Sequence, residues 1–215
     1  DLFNPFSPSD IVRDYKMGDD LVSVRVNTER IDEVNLLYVP RRDVDSGDVD
    51  FESSSVAGKL HFLVDEFEMD VIAAYHYDET VLGLGLTGYL GDAAWRWDIL
   101  WSSLEEPADS NGYFQLVANI DYSWVWLEKN MYGLIEYYHN GLGNDDCNHA
   151  MGDLALMERI NRGELFSLGK HYLSAKIQIE LHPLLNLYVN TINNIEDRSG
   201  ILQPWASLSI AQNAT

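Results

Sequence analysis

The chain has 215 residues, is 46% hydrophobic and 12% aromatic, and carries 35 acidic against 14 basic side chains for a formal net charge of -21. Nucleic acid is excluded as a partner, because phosphate binding needs clustered Lys and Arg, and so is a membrane-spanning helix, because no run of about 18 apolar residues exists. A mean hydropathy of -0.20 is still compatible with a membrane β-barrel, whose hydrophobicity is hidden by alternation.

Taken in order, residues 1–20 read as irregular, with Pro5 and Pro8 supplying turn chemistry. In 21–27, Val22, Val24 and Val26 oppose Ser23, Arg25 and Asn27, and Val34, Leu36 and Tyr38 form the next apolar set, which Pro40 is expected to end. Residues 41–57 are polar and acidic and predict a long loop. A strand over 60–64 turns at 65–68 and returns with Met69, Val71, Ala73, Tyr75 and Tyr77 on one side. Leu82, Leu84 and Leu86 follow, then the hairpin turn Gly91-Asp92, then Trp95, Trp97, Ile99 and Trp101. A second polar loop covers 102–112.

The longest alternation is 113–126, with Phe114, Leu116, Ala118, Ile120, Tyr122, Trp124 and Trp126 on one face. A period of two is a strand with one dry and one wet face. Typical soluble strands are about 5–6 residues, whereas an outer-membrane crossing needs roughly 9–11. A partner strand over 131–140 precedes the longest excursion, 141–166, in which 153–162 predicts a short helix with Leu154, Met157 and Ile160 on one face. Strands over 171–181 and 185–190 flank a turn at His182-Pro183, and Ala206, Leu208 and Ile210 close the series.

The expectation is an all-β, antiparallel, up-and-down transmembrane barrel, one domain over 1–215, with about eleven strands and alternating short and long connections. The connection at 78–80 is shorter than that pattern predicts. Trp95, Trp97, Trp101, Tyr122, Trp124 and Trp126 are the expected membrane-interface aromatics. The wet rows contain the pore-lining candidates Arg25, Asp70, His76, Arg96, Asp98, Asn119, Asp121, Glu136, Lys176, Gln178 and Glu180. Of these, Arg96, Asp98, Asp121, Lys176 and Glu180 could form a charged constriction that sorts solutes.

Other clusters offer weaker chemistry. Asp43, Asp45, Gly47, Asp48, Asp50 and Glu52 resemble a fragment of a calcium loop, but the full ligand spacing and flanking helices are missing, so a solvated acidic loop is the simpler reading. His139, Asp145, Asp146, Cys147 and His149 are zinc-type ligands at no standard spacing. Cys147 is the one cysteine, so no intrachain disulfide exists. His76 and Asp78 lie together, but no strained G-x-S-x-G turn accompanies them, and no enzyme is expected.

The run Phe3-Asn4-Pro5-Phe6-Ser7-Pro8-Ser9-Asp10, followed by Arg13-Asp14-Tyr15-Lys16-Met17-Gly18-Asp19-Asp20, resembles a segment of bacterial outer-membrane porin-like β-barrels, where such a loop joins two barrel strands. The run Leu134-Ile135-Glu136-Tyr137-Tyr138-His139-Asn140-Gly141-Leu142-Gly143 is similar to a later strand-to-loop join in those proteins. The resemblance covers most of the chain and implies a Gram-negative outer-membrane channel or export-type porin for small solutes or polymers, with no cofactor. It also implies contact with outer-membrane lipid and lipopolysaccharide, and leaves room for a homo-oligomer or an envelope partner. Two departures, the absence of strands before Asp1 and of an aromatic-ended final strand, lead to the expectation of an incomplete segment of a larger barrel. A structural or adhesion scaffold acting through the long loops, and a soluble ligand-binding β-domain, are the competing readings.

Overall fold

A computed structural model describes residues 20–28, 31–43, 46–104 and 111–209, the side chains of residues 147 and 148 excepted. The polypeptide forms one antiparallel sheet of eleven strands whose spatial order is their chain order. The strands are β1 (Val22–Val26), β2 (Glu33–Arg42), β3 (Val49–Val64), β4 (Phe67–His76), β5 (Glu79–Leu90) and β6 (Ala93–Ser103), then β7 (Gly112–Trp126), β8 (Lys129–Asn140), β9 (His171–His182), β10 (Leu185–Asn194) and β11 (Gly200–Leu208). The only helices among the described residues are α1 (Cys147–Ala150) and α2 (Leu154–Asn161), both between β8 and β9. The sheet is open, since β1 and β11 each pair on one side only.

With β1–β2 and β4–β5 as exceptions, tight turns gather at one end of the sheet and longer connections at the other. Two-residue turns join β3 to β4, β5 to β6, β7 to β8 and β9 to β10. Leu127 and Glu128 both have positive φ, 50° and 58°, as a hairpin turn of the primed type requires. At the opposite end Tyr77 and Asp78 make a turn of the same kind, φ 49° and 64°, which accounts for the short connection there.

Two features differ from the sequence reading. The loop expected over 41–57 shrinks to the few residues between Arg42 and Val49, because β3 extends to 16 residues. Its acidic first half pairs with β2, Arg41 opposite Asp50 and Arg42 opposite Val49. Pro40 does not end β2. The ladder shifts register between Val39 and Arg41, so the proline, which has no N–H, sits at a bulge. The irregular segment expected over 1–20 lies outside the described residues except for Asp20, as does Ile210.

The alternation divides the side chains cleanly. The apolar rows point outward and stay uncovered: Leu36 is 56% exposed, Leu82 49%, Trp97 52%, Phe114 58% and Ile135 56%. Along β7 the outward row is aromatic at both ends, Phe114 and then Tyr122 to Trp126, with Leu116, Ala118 and Ile120 between. β4 repeats this with Phe67 and Tyr75 around Met69, Val71 and Ala73. At ~3.3 Å per residue, Phe114 to Trp124 spans roughly 33 Å of strand. A tilt of about 40° projects that to about 25 Å, the height of a barrel's apolar band.

Trp95 and Trp124 pack over glycines of the neighbouring strand. A Cβ on Gly88 would come within 2.6 Å of the Trp95 ring, and one on Gly133 within 3.0 Å of Trp124. All six expected interface aromatics stand on this outward face, Trp101 towards the loop end and the other five towards the tight-turn end.

Candidate functional site

The inward face carries every pore-lining candidate, because the register places each on the same side of the sheet. Arg96 lies opposite Asn119 and Asn119 opposite Glu136. Gly85 lies opposite both Asp70 and Asp98. A cavity of about 670 Å³ opens on this face. Its walls run from Ile72 and His76 on β4 around to Ile192 on β10 and Ile201 on β11. Five carboxylates line it, Asp70, Glu79, Asp98, Glu136 and Glu164, and no lysine or arginine does.

The charged residues expected in a single constriction separate into three groups. Arg96 Nη1 pairs with Asp121 Oδ2 at 2.5 Å and reaches Asn119 Oδ1 at 3.3 Å, and Asn119 in turn donates to Glu136 Oε2 at 3.2 Å. Asp70 is held between Lys59 and His61, each at 2.8 Å. Asp98 stands beside it across Gly85, where an added Cβ would meet Asp98 Oδ1 at 2.9 Å. Lys176, Gln178 and Glu180 lie on β9, on another stretch of the wall, where Asn130 donates to Glu180 at 3.0 Å. Arg25, at the far edge, pairs with Glu33 at 3.2 Å.

The segment between β8 and β9 folds onto the loop end of this inward face. Its helix α2 is capped by Asp153, whose carboxylate accepts from Leu156 N at 3.1 Å. Ala150, Leu156 and Leu165 form a small buried core with Leu142, Ile160 and Leu168. The base of the excursion closes where Gly143 meets Gly169, so near that a Cβ on Gly143 would fall 2.1 Å from a carbonyl oxygen. Asn140, fully buried, ties that base by donating to Ser167 O at 3.2 Å and accepting from Leu142 N at 3.1 Å.

Helix α2 is anchored by Arg159, which is 1% exposed. Its Nη2 pairs with Glu79 of β5, its Nη1 donates to Ala155 O at 2.9 Å, and its guanidinium lies 5.2 Å from the centre of the Tyr113 ring. Burial alone would lower the Arg159 pKa, but Tyr113, Glu79 and Glu164 together more than reverse it, so the group stays charged. Nearby, the guanidiniums of Arg41 and Arg162 each lie over the Tyr77 ring, 4.4 Å from its centre.

His76, a sequence candidate, belongs to this anchor and not to Asp78, which accepts instead from Tyr75. Ser55 Oγ lies 2.6 Å from His76 Nδ1, and Glu164 Oε1 lies 3.4 Å from Nε2. The order serine, histidine, carboxylate is that of a nucleophilic triad, but Ser55 is fully buried and also accepts from Arg41 Nη1 at 2.5 Å. Its oxygen therefore has no open approach for a carbonyl.

The metal candidates do not come together. Asp43 and Asp50 use their side chains on local backbone, accepting from Ser46 N at 2.7 Å and Glu52 N at 3.1 Å, and Asp45 lies outside the described residues. His139 stands on the outward face against His171, with ring centres 4.8 Å apart, away from Asp145, which faces Lys170, and from Asp146, which faces His149. Among the described residues no group of three metal-capable side chains gathers.

No family model, curated protein or solved structure matches the chain. The functional reading therefore rests on this geometry.

Proposed function

We propose that this chain is a β-barrel of the bacterial outer membrane, acting as a passive channel or export-type conduit for small solutes or polymers. One observation carries the reading: the sheet turns its aliphatic rows outward, bounded by aromatics at both ends of β4 and β7, and its charged rows inward. A water-soluble protein rarely leaves so large an apolar face open, whereas hydrocarbon demands it. Outer-membrane lipid and lipopolysaccharide are the partners this face would meet.

The inward face supports a polar path. The excursion carrying α2 narrows one end of it, and the carboxylates along the cavity favour cations over anions. Planar-bilayer recording on the full-length protein tests both points. The expected result is stable unit conductance, with a reversal potential under a KCl gradient that marks K⁺ as the more permeant ion. Asp98→Asn combined with Glu136→Gln should move that potential towards zero selectivity. Absence of conductance at every voltage would overturn the channel reading.

A further inference from the structure

Across β8 to β11 the register aligns four inward side chains in one row: Tyr132 opposite Gln178, Gln178 opposite Tyr188, and Tyr188 opposite Trp205. The rings of Tyr188 and Trp205 lie 3.7 Å apart and 6° from parallel, and Trp205 keeps 37% of its surface open. On one side of this row stand Lys176, Asn190 and Gln203; on the other stand Glu180, Asn186 and Ser207. Gln178 Nε2 donates to Asn186 Oδ1 at 3.3 Å, which ties these two amides to one another beside the rings.

This wall differs in kind from the stretch over β3 to β7. There the inward side chains are charged and engage one another, Lys59 with Asp70 and Arg96 with Asp121. Beside this row the charges are Lys176, whose Nζ lies 5.8 Å from the centre of the Tyr188 ring, and Glu180, one of each sign, with Glu136 further along β8, and the row itself is flat rings and carboxamides. Wetting a lumen needs only small polar groups, and open ring faces in water are unfavourable by the usual apolar-surface argument. A ligand that offsets this must offer an apolar face to the rings. Its edge must also carry groups that donate and accept in turn, since each carboxamide does both.

A pyranose ring has that arrangement, with C–H bonds on its faces and hydroxyls around its rim. A simple organic ion does not, because Lys176 and Glu180 on the two sides of the rings give neither sign an advantage there. We propose that the inward wall of β8 to β11, centred on Tyr188 and Trp205, is a subsite for neutral saccharides. The proposal names a solute class for the conduit and rests on the channel reading in that the wall must be reached from solution.

The test measures block of single-channel current by maltohexaose and by cellohexaose, with a polyethylene glycol of equal hydrodynamic size as a control lacking a pyranose ring. Equilibrium dialysis of the same sugars against the detergent-solubilised protein runs in parallel. Saturable block by at least one sugar and none by the glycol is expected, with the apparent affinity falling about tenfold or more in Trp205→Ala and Tyr188→Ala. Trp205→Phe should recover most of it, because it keeps a ring face, which separates stacking from misfolding. Block that is equal for sugar and glycol, or equal in wild type and both alanine variants, would overturn the subsite. Sugar binding in dialysis without any conductance would retain the subsite and remove the channel, whereas conductance without sugar binding would do the reverse.

Discussion

At the scale of single residues, the most consequential contact is the buried pair of Arg159 and Glu79, which joins the excursion to the sheet. Removing one partner leaves an uncompensated charge in a dry site, which typically costs about 3–5 kcal/mol. Glu79→Gln is therefore expected to lower the urea midpoint and expose 141–170 to protease, while Glu79→Leu with Arg159→Met should restore most of the loss. A single change as harmless as one at exposed Arg198 would show that the pair does not hold the excursion. Gly88 gives a second residue-scale outcome. Gly88→Val forces a side chain into the Trp95 ring and should destabilise by about 1–3 kcal/mol in a urea titration of the reconstituted protein.

At the scale of elements, neighbouring residues of β8 make opposite demands. Ile135 points outward, opposite Ile120 and Ala175, and Leu134 points inward, opposite Asp121 and Lys176. An arginine facing mid-bilayer lipid costs about 2–4 kcal/mol, and one facing a wet lumen far less. Ile135→Arg should thus block assembly or lower the unfolding midpoint in vesicles, with Leu134→Arg close to wild type. The reverse ranking would place lipid on the other face. The same alternation made these strands legible, since apolar and polar residues swap sides along β9 and, with Val117 and Val125 on the wet side as exceptions, along β7. It failed in the first half of β3, where Val49 and Phe51 alternate with Asp50 and Glu52 for only two pairs before Ser53, Ser54 and Ser55 make both sides polar. Two alternating pairs inside an acidic run are too short to read as a strand. Helix α2 was legible as a helix but not in its buried face. Leu154, read as part of the apolar stripe, is 85% exposed, while Leu156 and Arg159 are buried. A buried arginine is set by a carboxylate 80 residues away in the chain, which periodicity does not register.

At the scale of the whole molecule, eleven strands in chain order follow from eleven alternating segments, because antiparallel neighbours joined by two-residue turns leave few other arrangements. The division of inward charges into separate groups was not legible, because it depends on which inward positions the register brings side by side. Ser55, Glu79, Arg159 and Glu164 escaped the sequence reading for the same reason: each is ordinary in its own segment and acquires a role only across the fold. The central claim is that hydrocarbon covers the outward rows, and the six tryptophans divide unequally on that claim. Trp95, Trp97, Trp101, Trp124 and Trp126 face outward and Trp205 inward. The most direct measurement is fluorescence of the full-length protein in vesicles whose acyl chains carry bromine. The expected result is strong quenching that persists in Trp205→Phe. Unquenched tryptophans, in a protein that stays monodisperse in buffer without detergent, would contradict the account.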